Sequence, residues 1–197
     1  MLGARVAAVR EAVGSRVALR LDFNGSLPGG RAADVLAVVA GYDIEYAEQP
    51  LAPSAGAEAL AHLRWTGPVP VAADEAVRDV GSARVLLDTG AVDALVVKPA
   101  RVGGLRQAEA IIELATAASV PVTVSTLFES GVGLAGAVHL AATAPGPQAH
   151  GLATGQLLES DLLVTSLAIG GGRVAVPAGP GLGVELDEAA VARYRVS

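Results

Sequence analysis

The chain has 197 residues, 52% of them hydrophobic and 17% charged, with a net charge of −6 and no cysteine. That length suffices for one domain with a sizeable core, and so apolar a composition fits an α/β protein whose inner strands are covered by helices. The acidic balance and aromatics at 3% argue against a nucleic-acid partner, and the lack of cysteine excludes disulfides and thiolate metal sites.

The opening stretch, MLGARVAAVREAVG, is an amphipathic helix pattern carrying Arg5, Arg10 and Glu11, without the unbroken apolar segment of a signal peptide. No apolar run approaches the roughly 18 residues of a membrane span, so a soluble, cytoplasmic protein without membrane contact is expected. Strand-like runs follow at 16–22, 43–48, 69–74, 93–98 and 120–125, with a weaker one at 149–154. Helical stretches alternate with them. GRAADVLAVVAGY starts after the turn-forming LPGG, AGAEALAHLRW follows Pro53, and VGSARVLLDTG ends on Gly90. GGLRQAEAIIELATAAS puts Leu105, Ala108, Ile111, Ile112 and Ala115 on one stripe, and SGVGLAGAVHLAAT stops before the helix-breaking APGP.

The strand ends recur at a regular interval. Asp22 to Glu48 is 26 residues, Glu48 to Asp74 is 26, Asp74 to Lys98 is 24, and Lys98 to Ser125 is 27. A period of one strand, one helix and two short loops gives parallel strands joined by right-handed crossovers. Polar residues at the end of nearly every strand favour a (β/α)₈ barrel rim over a doubly wound sheet, whose chemistry gathers at one switch point. The glycine clusters in DFNGSLPGG and GLGVELDE read as turns, not phosphate loops.

Asp22, Glu48 and Asp74 close three successive strands, and in a barrel those ends converge over the axis. Three carboxylates brought together repel unless a cation offsets them or some take up protons. Oxygen ligands without His or Cys favour Mg²⁺. Each acid alone also suits a helix cap or a turn. Asn24 is a turn residue in its NG pair or an outer ligand. Lys98 ends the buried run ALVVK, with Pro99 keeping the chain extended; it balances the acids, moves a proton or faces an anion. In STLFESG, Ser125, Thr126, Ser130 and Gly131 stand at a helix start, which suits a ligand carboxylate or an ordinary N-cap. Glu129 reads as a first-turn helix charge, and His62, His139 and His150 lack ligand spacing.

LRLDFNG, YAEQPL, VAADE, VVKPARVGGL and STLFESGVGLA, in this order, resemble the enolase superfamily, its muconate-lactonizing-like branch, and within it most the o-succinylbenzoate synthases. The resemblance runs from about residue 4 into the GPGLGVELDE tail. It implies Mg²⁺ held at Asp22, Glu48 and Asp74, a small carboxylate substrate, and a dehydration through an enediolate in menaquinone biosynthesis. It also implies a Lys98 facing the substrate ring and a 125–131 loop receiving the succinyl tail. The family's base is a Lys-x-Lys pair on the second strand, whereas this sequence has one lysine, Lys98, and its start reads as the helix after that strand.

The expected architecture is therefore an incomplete barrel of about six βα units, strands 3 to 8, without the first two strands and the capping domain. It spans 1–165, with a tail over 166–197 that would return toward the cap. Two open edges call for a complementing N-terminal chain or self-association, and the fragment alone is expected to have little dehydratase activity. The alternatives are an N-succinylamino acid racemase, a dipeptide epimerase, or a non-catalytic barrel fragment binding metal or a partner. An epimerase would carry Asp-x-Asp on the last strand, and AHGLATGQLL has no acid there.

Overall fold

A computed structural model describes residues 1–196. Helix α1 (Leu2–Val13) precedes five βα steps: β1 (Leu19–Asp22), α2 (Ala32–Ala37), β2 (Ile44–Glu48), α3 (Gly56–Thr66), β3 (Val71–Ala73), α4 (Val80–Asp88), β4 (Ala94–Val97), α5 (Pro99–Val102), α6 (Leu105–Ala117), β5 (Val122–Val124) and α7 (Gly131–Ala141). The five strands pair in sequence order, all parallel, and curl into half a barrel with the helices outside. The expected sixth strand is reduced to one parallel bridge, Ser125 to Gly151. Its neighbourhood, APGPQAHG, carries two prolines that cannot donate to a ladder. A short hairpin, β6 (Ile169–Gly170) with β7 (Arg173–Val174), turns on Gly171 and Gly172, both at positive φ, and α8 (Glu188–Tyr194) is the last helix among the described residues.

Side-chain alternation divides the core. Val71, Ala73, Leu95, Val97 and Val124 face outward and pack with Leu36, Leu60 and Ile111 of the helices. Each such large side chain, fully buried, contributes roughly 1.5–3 kcal/mol. The opposite face carries a small inner cluster, Tyr46, Ala72, Ala94 and Val96. Two residues further along the same face stand Glu48, Asp74 and Lys98. The pleat therefore aims one side chain per strand into the mouth at the C-terminal ends.

Ile44 breaks the expected alternation: it packs with the helices, not with Tyr46. The β1–β2 register explains this, because Leu19 pairs with Ile44 and Arg20 with Tyr46, leaving Glu45 as an extra, bulged residue. Arg20 grips that residue through a two-pronged ion pair at 2.8 and 3.0 Å and lies over the Tyr46 ring at 4.8 Å. Its remaining nitrogen donates to the Ala149 carbonyl at 2.8 Å. One side chain thus ties the first strand to the segment after α7 at the opposite end from the carboxylates. An apolar cavity of about 650 Å³, between α7, residues 147–153 and the hairpin, is lined by none of the mouth carboxylates.

Other local choices explain themselves. Asp79 caps α4 reciprocally with Ser82. Pro99 opens the short helix α5 and does not extend the strand, while Lys98 before it stays extended at φ −111°, as a residue preceding proline prefers. In the segment after residue 165, Leu167 and Val174 pack against the core.

His150 sits beside the one-bridge pairing and accepts the Val124 N–H on Nδ1 at 3.0 Å. Burial, and then the Arg20 charge, hold its imidazole below the ordinary 6.5. A depressed histidine is neutral in the fold and protonates first in the unfolded chain, so its contribution is lost as pH falls below that value. We expect His150→Asn, which keeps an acceptor, to show a smaller drop in melting temperature between about pH 7 and about pH 5 than the parent protein. Identical drops would assign the acid sensitivity to other groups.

Candidate active site

Asp22 ends β1, Glu48 ends β2, and Asp74 follows β3 by one residue. Parallel pairing sets Asp22 directly opposite Glu48. Glu48 is pushed up to about 7, first by burial, then by the charges of Asp22 and Asp74. Asp74 is buried at 1% exposure. Burial is also the largest cause of its upward shift, opposed by the hydrogen bond and charge of Lys98. The charges of Asp22 and Asp74 thus both reach Glu48. The repulsion read from the sequence adds to burial in raising the Glu48 carboxyl.

Lys98, just past β4, donates Nζ to Asp74 Oδ2, with side-chain exposures of 12% and 0%. Arg101, one turn into α5, approaches Asp74 Oδ1 at 3.9 Å. Sequence reasoning passed over Arg101; its position three residues after Lys98, across the Pro99 turn, is the signal that could have found it. Glu75 was missed as well. It contributes charge against both Glu48 and Asp74 and receives Asn24 Nδ2 on Oε1 at 3.3 Å. Asn24 and Gly25 both have positive φ, 43° and 72°, so the NG turn is real. The same asparagine caps Asp22, donating its backbone N–H to Oδ1 at 2.9 Å and Nδ2 to Oδ2 at 2.8 Å. The turn and site readings of Asn24 are thus one arrangement.

Four carboxylates stand against two cations, and this excess of acids, which raises Glu48, is what a divalent ion would offset. Asp74 Oδ1 and Glu75 Oε2 are buried acceptors without a hydrogen-bond donor among the described residues. Oxygen-only donors, orphaned acceptors and this charge fit a hard cation such as Mg²⁺. As placed, no three His, Cys, Asp or Glu groups among the described residues converge tightly enough to grip an ion. Asp22 is turned to Asn24 and Asp74 to Lys98, so closing on an ion asks Asp22 to release Asn24, while Asp74 keeps Oδ1 free.

The 125–131 loop is placed at the rim by β5, but several of its polar groups are already engaged. Thr126 Oγ1 meets the Gly151 carbonyl at 3.1 Å and Thr154 Oγ1 at 2.7 Å. Ser125 Oγ donates to the same carbonyl at 3.3 Å, and the Gly131 N–H donates to the Asp161 carbonyl at 2.7 Å. Ser130 occupies the N-cap of α7 without a side-chain cap bond among the described residues. Glu129, expected inside the first turn, precedes that cap, and its buried Oε2 has no donor among the described residues. Leu127 and Phe128 stand out at 37% and 67% exposure. His139 Nε2 lies 3.2 Å from the Leu182 carbonyl, away from the acids.

Fold and site define a class: a partial parallel βα barrel whose carboxylates gather at the C-terminal ends of its strands. The chain belongs to the enolase C-terminal domain-like family, whose model matches residues 3–190. It is 40% identical over 160 residues to an o-succinylbenzoate synthase of Thermobifida fusca (strain YX), covering 81% of this chain and 49% of the relative. It is 33% identical over 189 residues to muconate cycloisomerase 1 of Rhodococcus opacus, covering 95% and 50%. A solved dipeptide epimerase from Cytophaga hutchinsonii, complexed with Mg and the dipeptide D-Ala-L-Val, superposes with a TM-score of 0.90 at 27% identity, covering 97% of this chain and 52% of that one. The chain spans about half the length of the curated relatives it matches. Among the described residues no helix is long and apolar enough to cross a membrane.

Proposed function

We propose that this chain is the barrel portion of a Mg²⁺-dependent o-succinylbenzoate synthase acting in menaquinone biosynthesis. The observation that carries this reading is the inward line of Asp22, Glu48, Asp74 and Lys98 across four adjacent strand ends. The 40% identity to a synthase supports the choice of reaction within the family. Asp22, Glu48 and Asp74 would hold Mg²⁺, which supplies Lewis-acid charge when bound.

The reaction removes the proton from the ring carbon bearing the carboxylate of 2-succinyl-6-hydroxy-2,4-cyclohexadiene-1-carboxylate. The neighbouring hydroxyl leaves, so the products are aromatic 2-succinylbenzoate and water. Lys98 spends one N–H on Asp74 and has two left to face the anion that develops as the proton departs. The base corresponds to the family's Lys-x-Lys pair, for which this sequence has no counterpart, since Lys98 is its one lysine. Ser130 and the exposed Phe128 lie on the loop that would receive the succinyl tail. A complementing N-terminal chain, or a second copy, would cover the two open edges, and the 166–197 tail would return toward a capping domain. Likeness to the Cytophaga epimerase keeps a second reading in view, a racemase or epimerase of the same branch. The lack of an Asp-x-Asp in AHGLATGQLL counts against the epimerase.

The test is product formation by this chain, alone and mixed with the N-terminal half of the Thermobifida synthase, with Mg²⁺ and with EDTA. Little product is expected from the chain alone, at least a ~100-fold gain on assembly, and loss of that gain with EDTA. An assembled, Mg²⁺-loaded mixture that forms no product overturns the synthase reading. Solvent deuterium entering an N-succinylamino acid in that mixture would select the racemase instead.

A further inference from the structure

We propose that Gln49 is the positioning residue of the carboxylate mouth, fixing the ends of β1, β2 and β3 relative to one another. This deepens the divalent-cation reading above and rests on it. Gln49 follows Glu48 directly and is completely buried, at 0% exposure. A buried amide survives only if its donors and acceptors are used.

They are used across three strands. Gln49 Oε1 accepts from the backbone N–H groups of Asp74 and Ala76, both at 3.0 Å. Nε2 donates to the Leu51 carbonyl at 2.7 Å. The backbone N–H of Gln49 donates to the Ala72 carbonyl at 2.8 Å, and its own carbonyl accepts the Gly25 N–H at 2.7 Å. One residue therefore holds the turn after Asp22, its own strand after Glu48, and both flanks of Glu75 at the end of β3. The loop that carries Asp74 and Glu75 closes around its side-chain oxygen.

The backbone is held away from its preference to achieve this. Gln49 sits at φ 37°, in the left-handed region that non-glycine residues adopt uncommonly, and its side chain reaches both the local Leu51 carbonyl and the distant Asp74 loop. Pro50 follows and removes the next N–H from competition. The strain, the burial and the bonds to the Asp74 loop all occur in the residue joining two candidate ligand strands.

The test separates positioning from general support by comparing two rankings. Gln49→Glu keeps the oxygen that receives the Asp74 and Ala76 N–H groups, but buries a carboxyl against the Leu51 carbonyl. Gln49→Met keeps the shape and orphans all three partners. Ile111→Val, in the buried face of α6, controls for lost stability alone. Mn²⁺ binding to the chain is followed by electron paramagnetic resonance, and melting temperature is measured in metal-free buffer. We expect Gln49→Met to bind Mn²⁺ about 10- to 100-fold more weakly than the parent. Gln49→Glu should stay within about threefold despite melting no higher than Gln49→Met, and Ile111→Val should bind as the parent does.

If affinity simply follows melting temperature across the set, Gln49 is a structural brace and the proposal is overturned. Parent-like binding by Gln49→Met overturns it too, while leaving the cation reading intact. Absence of Mn²⁺ binding by the parent protein overturns the cation reading and this inference with it. Should Gln49→Met fail to fold, Gln49→Asn, which retains the amide but lacks the reach, takes its place with the same expected loss.

Discussion

Exchange of Lys98 for methionine is expected to destabilise the fold by about 3 kcal/mol at neutral pH and by clearly less in acid. Asp74 has no exposed side-chain surface, and Lys98 supplies its direct hydrogen bond. Removing one partner of a buried pair strands the other charge, a loss of roughly 3–5 kcal/mol. Arg101, 3.9 Å from the other oxygen, moderates that figure toward its lower end. The pH dependence follows from the direction of the Asp74 shift. Burial already raises that carboxyl and Lys98 opposes the rise, so losing Lys98 raises it further. A carboxyl raised in the fold costs stability as pH climbs from its unfolded value through its folded one. The penalty should therefore shrink as Asp74 takes up a proton. Urea unfolding at about pH 7.5 and about pH 5 measures both; equal penalties at the two would remove Asp74 as their source.

Asp74→Asn is expected to abolish stabilisation by Mg²⁺. At a free concentration one hundred times the dissociation constant, a ligand that binds only the folded state stabilises it by about 2.7 kcal/mol. The parent protein should show a melting increase of that origin. The asparagine variant should show none, because it removes the carboxylate that lies between the other acids and Lys98. Its stability without metal should fall as well, because Lys98 loses the charged partner of a buried pair, so the two proteins are compared by their Mg²⁺-dependent increments. Thermal melts with and without Mg²⁺ decide the matter. A parent melt indifferent to Mg²⁺ would count against the cation reading as a whole.

The architecture was readable because the βα period and the strand-end acids repeat together. A 26-residue spacing with matching side-chain parity already places Asp22, Glu48 and Asp74 at one mouth, and in the fold the charges of Asp22 and Asp74 reach Glu48. What escaped has physical reasons. The Glu45 bulge leaves no mark in a pattern of apolar residues, since the extra residue is polar and partnered by Arg20. The sixth strand, the weakest of the six in the sequence, meets its neighbour at one bridge, directly after a turn whose Pro145 and Pro147 lack ladder donors. Arg101 and Glu75 were passed over because each lies beside a more conspicuous residue. Hydroxyl direction in the 125–131 loop is a rotamer property; only coordinates reveal that Thr126 turns to Gly151 and Thr154.

The Arg20 link to Ala149 joins positions 129 apart in sequence, whereas each strand pair of the ladder joins neighbours one unit apart. Assembly can thus proceed by adding successive units, each closing a short loop, with the guanidinium clasp fastening last. The arc's first and final units should consequently open earliest in native-state exchange, while the middle strands retain protection longest.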